Sequence, residues 1–120
     1  PCDDQPFWMQ TRAGRLLSVP YPLETNDFGT TLTFHHDARQ FVDTFVRQFE
    51  EMVETSARQP LVCPISLHTM IFGQAHRIRA LREGLRHILA HPLFDRVWLT
   101  RPGDIAAYCE SLPEGIIPAN

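Results

Sequence analysis

Six histidines, three cysteines and fourteen acidic residues are the groups from which this 120-residue sequence could build chemistry. His68 is the best placed of them. It ends an apolar run, Leu61-Val62-Cys63-Pro64-Ile65-Ser66-Leu67, whose length and composition predict a buried parallel strand. Pro64 argues against a central antiparallel strand, because it has no N–H for a ladder. In chains that alternate strands with helices, working side chains gather where a strand hands over to its helix. A histidine in that position can exchange protons near neutral pH, its unperturbed pKa being about 6.5. The competing reading is a loop histidine held by a local hydrogen bond. Arg101 ends a second short predicted strand, Val97-Trp98-Leu99-Thr100, and carries the same positional argument. Glu24, Asn26 and Asp27 follow a third predicted strand, Arg15-Leu16-Leu17-Ser18-Val19-Pro20-Tyr21. They either serve a site at that strand end or cap a turn ahead of Gly29. Asp3 and Asp4 are either solvated loop charges or the end of a strand that begins further upstream.

Other groups are less suited to chemistry. His35-His36 invites a metal reading, but adjacent side chains diverge on either a helix or a strand, so such a pair rarely chelates one ion. Cys2, Cys63 and Cys109 are odd in number, widely spaced and without a CxxC pair, which predicts free thiols in a reducing, cytoplasmic compartment. No metal site complete within this chain is expected.

The elements that must position these residues can be read from periodicity. Asp37 and Gln40 form a capping box at the head of a helix predicted to end near Ala57. Phe41, Phe45, Phe49, Met52 and Val53 make its apolar stripe. After His68, a loop through Gly73 leads into a helix closed by His91-Pro92, with Ile78, Leu81, Leu85, Ile88 and Leu89 on one face. Pro102 starts a last helix over 103–112, and residues 113–120 form a surface tail. The order strand, strand, helix, strand, helix, strand, helix predicts an α/β fold with a parallel sheet. So few strands cannot close a barrel of about eight. The chain is therefore expected to be part of one larger domain, completed by an upstream segment or a second polypeptide.

Composition excludes several classes. The chain is 43% hydrophobic and 21% charged, ordinary for a globular protein, and its formal net charge is −3. Nothing in it suggests nucleic acid or an anionic membrane as partner. No apolar run approaches the ~20 residues of a membrane span, and no charged-then-apolar leader opens the sequence. The four arginines at 77, 79, 82 and 86 lack interleaved aromatics and read as a solvated or interface face.

Three motifs in register carry a family resemblance. Ser66-Leu67-His68 with Gly73 and Arg77-Ile78 is similar to the closing signature of the polysaccharide deacetylase superfamily. Within it, the nearest likeness is to the branch of allantoinase-like amidohydrolases and peptidoglycan deacetylases. Asp3-Asp4-Gln5-Pro6-Phe7-Trp8 resembles that branch's Asp-Asp-x-Pro-aromatic stretch, and Pro20-Tyr21-Pro22-Leu23-Glu24-Thr25-Asn26-Asp27 its strand ending in Asn-Asp. The resemblance implies the C-terminal portion of a distorted (β/α)7 TIM-like barrel, spanning residues 1–120 with the N-terminal part absent. It implies a hydrolase of non-peptide amide C–N bonds in carbohydrate or ureide metabolism, acting on an N-acetylated sugar or a small amide. His68 would be the general acid, and Asp27, or failing it Glu24, would orient it. Asp4, Glu24, Asn26 and Arg101 would bind substrate. The family's opening Asp pair and His-x-x-x-His motif have no counterpart here, so a divalent metal such as zinc would be held, if at all, by the missing part. Thr69-Met70 replaces the small or acidic residues common after the histidine in sugar deacetylases, which favours smaller amides. A homo-oligomer is expected. A non-catalytic scaffold or binding subunit that keeps only the fold is the competing class.

Overall fold

The computed structural model describes residues 4–119. Cys2 and Asp3 lie outside the described residues. Along the chain come β1 (Phe7–Thr11), β2 (Gly14–Ser18), a π-helical turn (Gly29–Thr33), α1 (Ala38–Thr55), α2 (Thr69–Phe72), α3 (Ala75–Leu89), a 3-10 turn (Phe94–Arg96) and α4 (Pro102–Ser111).

The two long helices form for the reasons their sequences give. Asp37 Oδ1 accepts from the Arg39 and Gln40 amides at 2.8 and 2.9 Å, and Gln40 Oε1 accepts from the Asp37 amide at 2.9 Å. Both halves of the capping box are therefore present at the head of α1. Its stripe of Phe41, Phe45, Phe49, Met52 and Val53 is buried. Phe41 and Val42 pack with Ile71, Phe72, Ala80 and Leu81, and Phe45, Phe49 and Val53 pack with Ile88. Ile65 and Cys63 lie against this core from the segment that leads to His68. The predicted face of α3 is displaced. Ala80, Leu81, Gly84 and Ile88 are buried, whereas Leu85 and Leu89 are exposed. Close approach of α1 explains the shift, because it centres the interface on Gly84 rather than on the leucines flanking it.

Gly84 sets the distance between the two helices. A Cβ at this position would lie 2.3 Å from Val42 Cγ1 and 3.4 Å from Val46 Cγ2. Gly84→Ala gains about 1 kcal/mol of helix propensity, but overpacking of this kind costs about 1–3 kcal/mol. We expect net destabilisation in a denaturant melt, relieved by adding Val42→Ala, which removes the clashing methyl. Equal midpoints for Gly84→Ala and the parent would sink this account.

The strand expectations need correction. Residues 61–67 are extended but form no strand, residues 97–100 form none, and the third run is shortened to β2. The one ladder among the described residues is the antiparallel hairpin β1–β2, with Phe7 opposite Ser18 and Thr11 opposite Gly14, rather than a parallel sheet. The physical reason is a shortage of partners. Residues 61–67 have one parallel bridge, Asn26 to Ser66, and a single bond from the Val62 amide to the Asp4 carbonyl at 2.8 Å. Pro64 has no N–H to offer, and Pro20 and Pro22 end the third run. Trp98 and Leu99 are more than half exposed. The molecule extends 46 × 35 × 19 Å with a radius of gyration of 15.9 Å. A closed domain of this length has about 14 Å, so the described residues form a slab with its helices packed on one another and its extended segments largely uncovered.

Candidate active site

Two segments, residues 25–27 at a turn and residues 64–68, are laced together at the site. Thr25 Oγ1 donates to the Pro64 carbonyl at 2.7 Å, the Ser66 amide donates to the Thr25 carbonyl at 2.9 Å, and the Asp27 amide donates to the Ser66 carbonyl at 3.1 Å. The next rung of a parallel ladder would run from the His68 amide to the Asp27 carbonyl. At Asp27, however, the chain turns into a helical turn, and the Asp27 side chain takes over as acceptor. Its Oδ2 accepts from the His68 amide at 2.8 Å, and its Oδ1 lies 2.6 Å from His68 Nδ1.

Both carboxylate oxygens thus hold the same residue, and they do so from a side chain that is 0% exposed. A carboxylate facing Nδ1 places a proton on that nitrogen. Nε2 is left as the exchanging atom, and it has no hydrogen-bond partner among the described residues. The His68 side chain is 36% exposed. The Phe28 ring lies 5.4 Å from the imidazole at 51°, packing one side of it. The result is a buried acid, a tethered imidazole and a proton-exchanging nitrogen with access to solvent. That arrangement can deliver a proton to, or take one from, a bound group.

The segment after His68 turns sharply. The carbonyl of His68 accepts from the amides of both Ile71 and Phe72 at 2.9 Å, opening α2. At the end of α2, a Cβ on Gly73 would sit 2.2 Å from the Thr69 carbonyl oxygen. Only glycine fits there without moving backbone, so Gly73 in the matched motif has a steric reason.

The remaining site residues divide into groups. Asn26 adjoins the pair. Its Oδ1 accepts from the Phe28 amide at 3.0 Å, and its Nδ2 donates to Tyr21 Oη at 3.3 Å. Tyr21 Oη is in turn 3.0 Å from Ser66 Oγ. Asp4 and Glu24 line a cleft of about 80 Å³ together with Tyr21, Thr25, Gln48 and Pro64. The Arg101 guanidinium is bonded to Asp104 within the first turn of α4 at 3.3 Å. Sequence reasoning attached no role to Tyr21 or Phe28. Phe28 could have been noticed as an aromatic placed directly after the carboxylate in a polar stretch.

Thiol chemistry has little support. Burial pushes the Cys63 thiol up to about 11, with a further contribution from the negative charge of Asp4. Burial also raises Cys109. Thiolates are the nucleophilic form, so Cys63 is inert at neutral pH. Among the described residues no group of three or more His, Cys, Asp or Glu side chains could hold a metal ion, and His35 and His36 take part in none. The described residues thus offer no ligand set for the metal that the family resemblance places in the missing part. No helix among the described residues is long and apolar enough to cross a membrane.

No protein-family model matches the chain, and no curated protein matches it. Solved structures do. A probable polysaccharide deacetylase from Pseudomonas aeruginosa PAO1 superposes with a TM-score of 0.77 at 31% sequence identity. The Puue allantoinase superposes with a TM-score of 0.78 at 29% identity. Each match covers 88% of this chain but only 35% of the other. In three-dimensional structure the chain therefore resembles part of a polysaccharide deacetylase and part of an allantoinase. Both neighbours are named as hydrolytic enzymes, and the likeness to them is a likeness of hydrolase-type fold.

Proposed function

We propose that this chain supplies the acid–base part of an active site that hydrolyses non-peptide amide C–N bonds, in the manner of a polysaccharide deacetylase or an allantoinase. The observation that carries the reading is the pairing of buried Asp27 with His68 through both carboxylate oxygens. An amide nitrogen is a poor leaving group until it is protonated. Once water has added to the carbonyl carbon, protonated His68 gives the Nε2 proton to that nitrogen as the C–N bond breaks, while Asp27 holds Nδ1–H and stabilises the imidazolium before transfer. Asp4 and Glu24, at the neighbouring cleft, accept hydrogen bonds from substrate N–H or hydroxyl groups, and Asn26 holds the turn that presents Asp27.

The slab shape and the 35% coverage of both neighbours support a place in the C-terminal portion of a larger barrel of the distorted (β/α)7 kind. On this reading, turnover needs the rest of that barrel. The test uses the full-length protein containing residues 1–120, assayed on allantoin and on N-acetylglucosamine oligomers, with and without added zinc. Hydrolysis of one of these substrate classes is expected. Hydrolysis of neither under any condition would overturn the enzymatic reading and leave a binding or scaffold role.

A further inference from the structure

The Asp27–His68 pair accounts for proton transfer but not for how a substrate is held beside it. We infer that the hydroxyl of Tyr21 is a substrate-binding hydrogen-bond donor, directed at a carbonyl oxygen of the bound molecule; this rests on the amide-hydrolase reading. Three observations place it. First, residues two apart in an extended segment point to the same side. Ser66 and His68 are so related, and Tyr21 Oη is bonded to Ser66 Oγ. The Tyr21 hydroxyl is therefore tied to the same side of the segment as the imidazole, about 7 Å along it at ~3.3 Å per residue.

Second, the local hydrogen bonds can leave its proton free. The Phe28 amide donates to Asn26 Oδ1, which fixes the orientation of the amide group, so Asn26 Nδ2 must donate to Tyr21 Oη. Ser66 Oγ can donate to the same oxygen. With both lone pairs of Tyr21 Oη filled in this way, its own proton has no acceptor within the network. A carbonyl oxygen from a ligand completes it, at the cost only of rotating two hydroxyl hydrogens.

Third, Tyr21 is 65% exposed and also lines the cleft that contains Asp4 and Glu24. A phenol more than half exposed, yet held at its tip by two polar side chains, is positioned without being buried. Together these residues place one donor, tied to the His68 side of the segment through Ser66, on the lining of a cleft that also holds two carboxylate acceptors. That pattern matches a molecule carrying C=O and N–H groups side by side, as ureides and acetamido groups do.

The test is Tyr21→Phe in the full-length protein, with kcat and KM measured on whichever of allantoin or N-acetylglucosamine oligomers the parent hydrolyses. A site built to bond a carbonyl loses affinity when its donor is removed. KM should rise about 10-fold, the equivalent of one hydrogen bond of ~1.4 kcal/mol. We expect kcat to change less than about threefold, with its pH profile unmoved. An unchanged KM overturns the proposal. So does a fall in kcat with a displaced pH profile, because that would make Tyr21 a residue acting through His68. Calorimetric binding of the same two probes, compared between parent and Tyr21→Phe, separates this failure from failure of the hydrolase reading. Weaker binding to the variant supports the Tyr21 role even where the parent turns over neither probe. Equal binding, or none to the parent, rejects it.

Discussion

Asp27→Asn should leave the full-length protein folded and lower its kcat on amide substrates by about 10²- to 10⁴-fold, the range seen when the carboxylate behind a catalytic histidine becomes an amide. The reason lies in the two bonds Asp27 makes. The amide of His68 needs an acceptor, which the introduced asparagine can still provide through its Oδ1. The asparagine Nδ2 then faces His68 Nδ1, where the carboxylate oxygen stood at 2.6 Å. Two donors cannot meet, so Nδ1 gives up its proton and the ring takes the other tautomer. Protonation of the ring would restore the donor–donor clash and no longer gains from a buried negative charge. The form that donates from Nε2 while Nδ1–H is held in place is thereby lost, although the backbone bond survives. Loss of a bond to a charged group puts the stability cost at about 1–3 kcal/mol. Steady-state kinetics with a circular-dichroism melt check both halves. Parent-like kcat in a folded Asp27→Asn variant would mean that Asp27 only fastens the loop.

How much of this was legible in the sequence depends on the range of the interactions involved. The helix α1 was fully legible, since its cap and stripe are written within a short consecutive stretch and need no distant partner. The face of α3 was half legible. Period alone pointed to Leu85 and Leu89, but helix contact is decided by which residue lets the partner closest, and Gly84 does so against Val42. The strands were legible as extended chain and not as ladders. Residues 61–67 have the composition of a buried strand, but a ladder needs a neighbour, and among the described residues Thr25 to Asp27 supply only one bridge. The hairpin β1–β2 was missed on its first strand, because Phe7-Trp8 reads only as part of the Asp3-Asp4-Gln5-Pro6-Phe7-Trp8 motif. At the site, His68 stands out because it ends the apolar run 61–67, and Asp27 because it follows the third predicted strand. Their separation of 41 residues closes to a hydrogen bond only through the lacing of Thr25, Pro64 and Ser66. Tyr21 was illegible as a binding group, since its neighbours Ser66 and Asn26 are assembled by the same lacing.

An effect of the same order is expected at His68 itself. His68→Gln and His68→Asn in the full-length protein should each lower kcat by about 10²- to 10⁴-fold, the usual worth of general acid–base catalysis. The two variants divide the imidazole between them. The asparagine Nδ2 falls where Nδ1 stood, so His68→Asn keeps the hydrogen bond to Asp27 Oδ1 and loses the Nε2 position. The glutamine amide reaches toward the Nε2 position, but its group does not exchange protons at neutral pH. The side chain is 36% exposed and its backbone bond to Asp27 Oδ2 does not depend on its identity, so neither variant should unfold. His68→Asn should be the more stable of the two, because His68→Gln strips a buried carboxylate oxygen of its partner, an omission that costs about 1–3 kcal/mol. The loss in kcat should shrink on substrates whose nitrogen leaves readily without protonation, since such substrates need no acid. Any dependence of kcat on pH between about 5 and 8 should also be flatter in both variants than in the parent. If both folded variants kept parent kcat over that range, proton transfer would have to be placed on another residue, and the Asp27–His68 pair would be reduced to a structural clasp between residues 25–27 and 64–68.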